Sequence, residues 1–328
     1  MVAHSSWLGA ILASQLDKVL ARFGLGTLLT AESTGIGLGG QTILVSASTG
    51  EYVLRGKPLF VGQLAKERFF VRFLHERISI PVPWPYYYDP SLDIFDWEYA
   101  IMPRLPGTQI HDVAAISPRA QQEAVVAALG RGLSTLHTAS WPMCGEYDLF
   151  TDTIAPLTMP YAEWLMHRVR DMMESIVRED AAVTHADQEW VEMLLRKASS
   201  ALRQPFQPAC VMHDYHNNNV VFSHADGTWD VCGVFDLSEG YIGNPEADLA
   251  RPTRGLFLID PTLAGVFLRE YLRHSPARDG FLERFPVYML DDLLVGWTFA
   301  RRKGWRDPQR SLRELCELLA SAAKTLLS

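Results

Sequence analysis

The stretch CVMHDYHNNNVVFSHADGTWDVCGVFDLSEGYIGNPEADLAR, residues 210–251, decides how this chain is read. Val220-Val221-Phe222 is a β-branched and aromatic run, Asp226-Gly227 is a hairpin turn signal, and Trp229 to Phe235 is a second strand-like run. The pattern predicts an antiparallel hairpin. The residue before its first strand and the residue after its second then share the open end, with strands only ~4.8 Å apart. Asn219 and Asp236 are therefore expected side by side, with Asp214 five residues upstream of Asn219 in the same loop. An amide oxygen and a carboxylate gathered there are hard ligands for a cation such as Mg2+, and the loop carboxylate beside them suits a base.

Asp214-x-x-x-x-Asn219 followed by strand, turn, strand and Asp236 is similar to the catalytic and metal-binding segments of the protein-kinase-like superfamily. GVFDLSEGYIGNPEADLAR resembles its aminoglycoside phosphotransferase and choline kinase branch. The resemblance implies an α+β, bilobal protein-kinase-like fold, with a small N-terminal antiparallel-sheet lobe and a larger, mostly helical C-terminal lobe. It implies that Asp214 deprotonates an acceptor hydroxyl, and that Asn219 and Asp236 hold Mg2+ against nucleotide phosphates. The chain departs from the branch's His-Gly-Asp, having Met212-His213-Asp214 with the His in the place of the Gly. It also has His216-Asn217-Asn218-Asn219 where His-Pro-Gly-Asn is usual.

At 328 residues the chain is long enough for two packed lobes. Its 48% hydrophobic and 21% charged residues describe a globular protein, and 30 Lys+Arg against 38 Asp+Glu give a net charge of −8. That balance argues against a nucleic-acid partner and mildly favours a cationic ligand. Cys144, Cys210, Cys232 and Cys316 lack paired spacing, which speaks against a disulfide framework and for a cytoplasmic home. Trp7 to Ala13 is apolar but too short to span a membrane and has no basic start, so no membrane association is expected. Leu8, Ile11, Leu12, Leu16, Val19 and Leu20 fall instead on one face of a leading helix.

Gly35-x-Gly37-x-x-Gly40 alone would also suit a dinucleotide-binding fold, but such a loop must open a helix. Here Gln41-Thr42-Ile43-Leu44-Val45 is strand-like and Thr49-Gly50 turns into Glu51-Tyr52-Val53-Leu54, so a glycine flap over phosphates or a surface hairpin are the two readings. In a kinase-like site the next strand carries a phosphate-holding cation, for which Arg55 is preferred and Lys57 is the reserve. The following helix, Gln63 to Glu76, carries Glu67, either the partner of that cation or a surface carboxylate. Met102-Pro103-Arg104-Leu105-Pro106-Gly107 resembles the lobe connector, where the amides of Met102 or Arg104 and the carbonyls would meet the base. Pro103 has no N–H to offer, so the nucleotide stays open between ATP and GTP. The lobes implied are residues 1–102, with the leading helix, and 103–328.

From Ser117 onward the spacing is mostly helical, with helices expected over Gln122 to His137, Met159 to Val177 and Gln188 to Leu202. His137 reads as a packing or capping residue, and Asp248 as a brace for the catalytic loop or a helix start rather than a ligand. Asp291-Asp292 either faces a cationic substrate or caps a helix start. The favoured function is ATP- and Mg2+-dependent phosphoryl transfer to a small-molecule hydroxyl, best an aminoglycoside or related amino-bearing alcohol, with antibiotic resistance as its consequence. A macrolide, choline or an amino sugar is the alternative acceptor. Two other classes are a metallohydrolase using His213, Asp214 and His216, and a nucleotide-binding module without catalysis.

Overall fold

The computed structural model describes residues 3–34, 41–303 and 311–327, without the side chains of 299–303, 320 and 322–327. Strands β1 (Ala3–Ser5) and β2 (Gly9–Ile11) precede helix α1 (Ala13–Phe23). Then follow β3 (Leu28–Ser33), β4 (Thr42–Ala47), β5 (Gly50–Gly56), α2 (Gln63–His75), β6 (Tyr87–Asp89) and β7 (Tyr99–Pro103). The five strands β3 to β7 form one antiparallel sheet in the order β3-β4-β5-β7-β6. Alternation decides its faces: Ile43, Val45 and Ala47 of β4 are buried, and with Leu54, Tyr99 and Ile101 they pack against Leu16, Val19 and Leu20 of α1.

The leading segment corrects one expectation. Leu8 to Leu12 is not helical: Gly9, at φ +78°, opens β2, which pairs back onto β1, and Leu12 stands in extended conformation before the helix. Leu8 and Ile11 are buried, as the apolar spacing implied, but Leu12 is exposed because an extended residue faces the other way.

The second lobe is mostly helical, which makes the chain an α+β, bilobal, protein-kinase-like molecule. Its elements are α3 (Arg119–Leu136), β8 (Gly145–Asp148), β9 (Thr153–Pro156), α4 (Tyr161–Glu179), α5 (His185–Leu202) and β10 (Ala209–Val211). They continue with β11 (Val220–Ala225), β12 (Thr228–Val234), β13 (Tyr241–Gly243), α6 (Ala250–Ile259), α7 (Pro261–His274), α8 (Phe281–Lys303) and α9 (Leu312–Leu327). Gly130 lets α3 and α7 approach closely, since a Cβ there would stand 2.8 Å from the Phe267 carbonyl oxygen.

The β11–β12 hairpin forms as its sequence demands. Asp226 and Gly227 both take positive φ, +51° and +77°, the geometry that matches the strand twist in a two-residue turn. Val220 pairs with Val234, and the Phe235 amide donates to the Asn219 carbonyl at 3.1 Å, so the open end is closed as expected. Backbone bonds tie the hairpin to the rest: Thr108 and Phe222 exchange bonds of 2.8 and 2.9 Å, and the Val234 amide donates to the Pro81 carbonyl.

A buried ion pair anchors the last helices to this frame. Arg284 of α8, wholly buried, donates to both carboxylate oxygens of Glu246 at 2.8 Å and to the carbonyls of Ala201, Asp279 and Arg278. Arg284→Ala should leave Glu246 charged without its buried partner, at a cost of about 3–5 kcal/mol. Urea unfolding measures it. Joint replacement by Arg284→Met and Glu246→Leu should recover most of that loss.

Candidate active site

The loop between β10 and β11 is fixed from beneath before any side chain is aimed. Asp248, almost fully buried, accepts the Met212 and His213 amides at 2.6 Å each, and His137 Nε2 donates to it at 3.2 Å. His137 Nδ1 meets the Tyr271 hydroxyl at 2.8 Å. Asp248 thus braces the loop, and His137 bonds beneath it.

His213 stands at φ +64°, a conformation that costs a residue with a Cβ roughly 1–2 kcal/mol. Glycine is usual there in the branch named above, and the backbone shows why. The imidazole offsets the strain with a bond from Nε2 to Asp291 Oδ2 at 3.1 Å, and its ring lies edge-on to Tyr241. Asp291 also accepts from Arg168 Nε at 2.9 Å, and both partners hold its carboxyl below the usual range against the opposing effect of burial.

Asp214 follows directly, with a quarter of its side chain exposed. Asn219 Nδ2 donates to its carbonyl at 2.9 Å and to its Oδ2 at 3.0 Å. Arg251 Nη1 donates to Oδ1 at 2.5 Å, and His216 Nε2 lies 3.5 Å from the same oxygen. The His216 ring is set by its other nitrogen, Nδ1, which accepts the Asn218 amide. Burial acts to raise the Asp214 pKa; the His216 bond, the Arg251 charge and the Asn219 bond outweigh it and keep the carboxyl ionised.

In the first lobe, the pairing of Arg55 with Ala100 in β5 and β7 places Arg55 on the sheet face opposite Leu54, towards α2. Its Nη1 reaches both oxygens of Glu67, at 2.9 and 3.0 Å, and Asp236 Oδ1 at 2.8 Å. Glu67 is buried and also accepts the Tyr86 hydroxyl at 2.9 Å, which removes the surface-carboxylate reading. Burial raises the Glu67 carboxyl above its usual range, and the Arg55 guanidinium offsets only part of that rise. Arg55 itself loses charge stability to burial but gains more from Asp236 and Glu67, so its pKa is raised. Its Nε is buried with no hydrogen-bond partner among the described residues.

Lys57 is not brought to this cluster. The strand ends at Gly56, where a Cβ would collide with the Trp97 ring, and Lys57 takes φ +52°. That turn breaks the two-residue alternation, and the Lys57 ammonium bonds to the Trp7 carbonyl at 3.1 Å. Met102 is buried in β7, and the Arg104 amide donates to the Glu51 carbonyl at 2.9 Å at the sheet's end. Gly35, Gly37 and Gly40 lie outside the described residues.

Asp291 and Asp292 lie within α8 rather than at its start, both buried, which corrects both expectations. Asp292 binds Arg251 Nε and Arg254 Nε, and although burial opposes it, Arg254 and Arg251 push its pKa down to about 2. Neither carboxylate is free for a cation. Sequence reasoning missed Arg168, Arg251 and Arg254; the i, i+3 spacing of Arg251 and Arg254 was a signal, but nothing local named their partner. His213 points to Asp291, away from His216, and among the described residues no group of three or more His, Cys, Asp and Glu is arranged to hold a metal. Hard oxygens for a cation are nevertheless present: Asn219 Oδ1 and Asp236 Oδ2 make no hydrogen bond among the described residues, while Asp236 Oδ1 takes Arg55 and the Ser238 hydroxyl at 3.2 Å. That donor set fits Mg2+, which keeps several waters and needs few protein ligands. Among the described residues no helix is long and apolar enough to cross a membrane.

The model of the phosphotransferase enzyme family matches residues 31–282. No curated protein sequence matches the chain. Among solved structures, an aminoglycoside phosphotransferase APH(4)-Ia in ternary complex with ADP and hygromycin B is 16% identical, with a TM-score of 0.65 over 94% of this chain and 98% of that one. A putative aminoglycoside phosphotransferase from Ralstonia eutropha is 17% identical, with a TM-score of 0.64 over 96% and 99%. A putative fructosamine-3-kinase from Thermobifida fusca is 18% identical, with a TM-score of 0.61 over 97% and 99%. At such identities what is shared is the fold.

The backbone at His213 yields a comparison of two variants. His213→Gly and His213→Ala both lose the bond to Asp291, but only Ala keeps the strain, so His213→Gly should be the more stable of the two by about 1 kcal/mol. Parallel denaturant melts would show it. Equal stabilities would mean that the loop relaxes away from φ +64°.

Proposed function

Because the chain belongs to the phosphotransferase enzyme family, we propose that it moves the γ-phosphoryl group of ATP to a hydroxyl of a small molecule, with Asp214 as the base. One observation carries this reading: Arg55 joins Glu67 of the first lobe to Asp236 just after the hairpin, while Asn219, at the same open end of the hairpin, holds Asp214. Phosphoryl transfer asks a protein mainly for positioning and charge stabilisation, and these residues are suited to both.

Asn219 and Asp236 would hold Mg2+, which when bound neutralises charge on the nucleotide phosphates. Arg55, fixed by two carboxylates, would present its remaining N–H groups to a phosphate oxygen, and Lys57 would take no part. The glycine stretch 35–40 would cover the phosphates. Met102 and the carbonyls of the connector would meet the base, with a lobe boundary between Met102 and Pro103. GTP is the alternative nucleotide; a solved relative, an aminoglycoside 2′-phosphotransferase-IIIa, is a GDP complex. Asp214, already ionised, accepts the hydroxyl proton as the acceptor oxygen bonds to the γ-phosphorus and the bond to the leaving ADP oxygen breaks; the proton then passes to solvent.

The relatives named for aminoglycosides and fructosamine, with the net charge of −8, support an amino-bearing alcohol as acceptor. A cytoplasmic setting is in keeping with four free cysteines. Antibiotic resistance would follow only if that alcohol is a drug.

Two variants separate base from ligand. Asp214→Ala should bind Mg2+ and ATP nearly as wild type but turn over ~10²–10⁴-fold more slowly. Asp236→Ala should lose the Mg2+-dependent part of ATP binding, read by calorimetry with and without the metal. Wild-type transfer by Asp214→Ala would remove Asp214 from the role.

A further inference from the structure

The wall beside Asp214 carries more cationic donors than its ion pairs consume. Asp291 is shared by His213 and Arg168, and Asp292 by Arg251 and Arg254. With Asp214 on Arg251, three carboxylates face three guanidiniums. Among the described residues, Arg168 spends only Nε and Arg251 only Nε and Nη1, so both Nη groups of Arg168 and the Nη2 of Arg251 make no hydrogen bond. Both side chains keep solvent access, 32% and 23%, and both are held from behind by a buried aspartate.

Lys66 of α2 adds to this. It is half-buried, makes no ion pair among the described residues, and lies within the field of Arg168; burial lowers its pKa. Two exposed carboxylates act on this group: Glu146 on Lys66 and Arg168, and Glu239 on Lys66 and Arg251.

We infer that the acceptor carries an anionic oxygen group, a carboxylate or a phosphate ester, beside the hydroxyl to be phosphorylated, and that Arg168 and Arg251 receive it. A planar fork fixed by a buried carboxylate suits such a group, because its ordering is complete before the ligand arrives. An amine placed at the same point would meet cations, and the two aspartates that could attract it are already neutralised. An amino group elsewhere on the acceptor is left the exposed carboxylates Glu146 and Glu239. The inference rests on the phosphotransferase reading and narrows its acceptor.

Calorimetry with the nucleotide site filled by Mg2+ and a non-hydrolysable ATP analogue tests it, using gluconate, glucose 6-phosphate, glucose and glucosamine as probes. One of the anions should bind at least about ten-fold more tightly than glucose and glucosamine, and which one does so tells carboxylate from phosphate ester. Arg168→Gln should cut that advantage about ten-fold with analogue binding unchanged, and Arg168→Lys should restore part of it. Arg170→Gln, which removes an equal charge from the same helix where it pairs with Glu192, should change nothing. No advantage for either anion, or an advantage that survives Arg168→Gln, overturns the inference. Failure of the analogue to bind wild type would instead sink the phosphotransferase reading itself.

Discussion

Two backbone amides pointing at one buried carboxylate hold the site together. Asp248 accepts from Met212 and His213 at 2.6 Å, and the loop that carries His213, Asp214 and His216 takes its course from that clamp. A carboxylate in a low-dielectric interior must be satisfied, and here the only described donors are the loop amides and His137. The requirement works in both directions: the loop cannot leave without stranding the charge. That reciprocity explains how a loop residue can remain at φ +64° without being glycine.

The same logic organises the charges above it. Glu67, Asp291, Asp292 and Glu246 are all buried and all paired with arginine, so each arginine is placed by a carboxylate that does not move. Such pairs add little net stability, because desolvation offsets most of the attraction, but removing one partner is costly. Their contribution is geometric. Arg55, Arg168 and Arg251 are each held by a carboxylate with donors unspent. Preorganised donors of this kind suit the phosphoryl transfer proposed above.

The bond from Arg251 to Asp214 links the two halves of this arrangement. After the His216 bond, the Arg251 charge is what holds the Asp214 carboxyl below its usual range against the opposing effect of burial. In the reaction proposed above, the acceptor side and the base would then share a guanidinium, and a group received by Arg251 would lie beside Asp214.

Much of this could be read from the chain alone, for a local reason. The Val220–Val234 hairpin, its Asp226-Gly227 turn and the neighbourhood of Asn219 and Asp236 depend on alternation and turn chemistry, which short stretches encode. The helices from α3 onward were legible for the same reason, to within a few residues at their ends. Leu8 to Leu12 misled because its apolar spacing suits a helix face, while Gly9 and the pairing of β1 with β2 make it strand. Tertiary structure alone set Arg55 between Glu67 and Asp236 and, through a single positive φ after Gly56, turned Lys57 to Trp7. It alone decided that Asp291 and Asp292 meet arginines from α4 and α6, partners 123 and 41 residues away that no local pattern can name. Periodicity and turns are properties of neighbours in the chain; the pairing of buried charges is a property of neighbours in space.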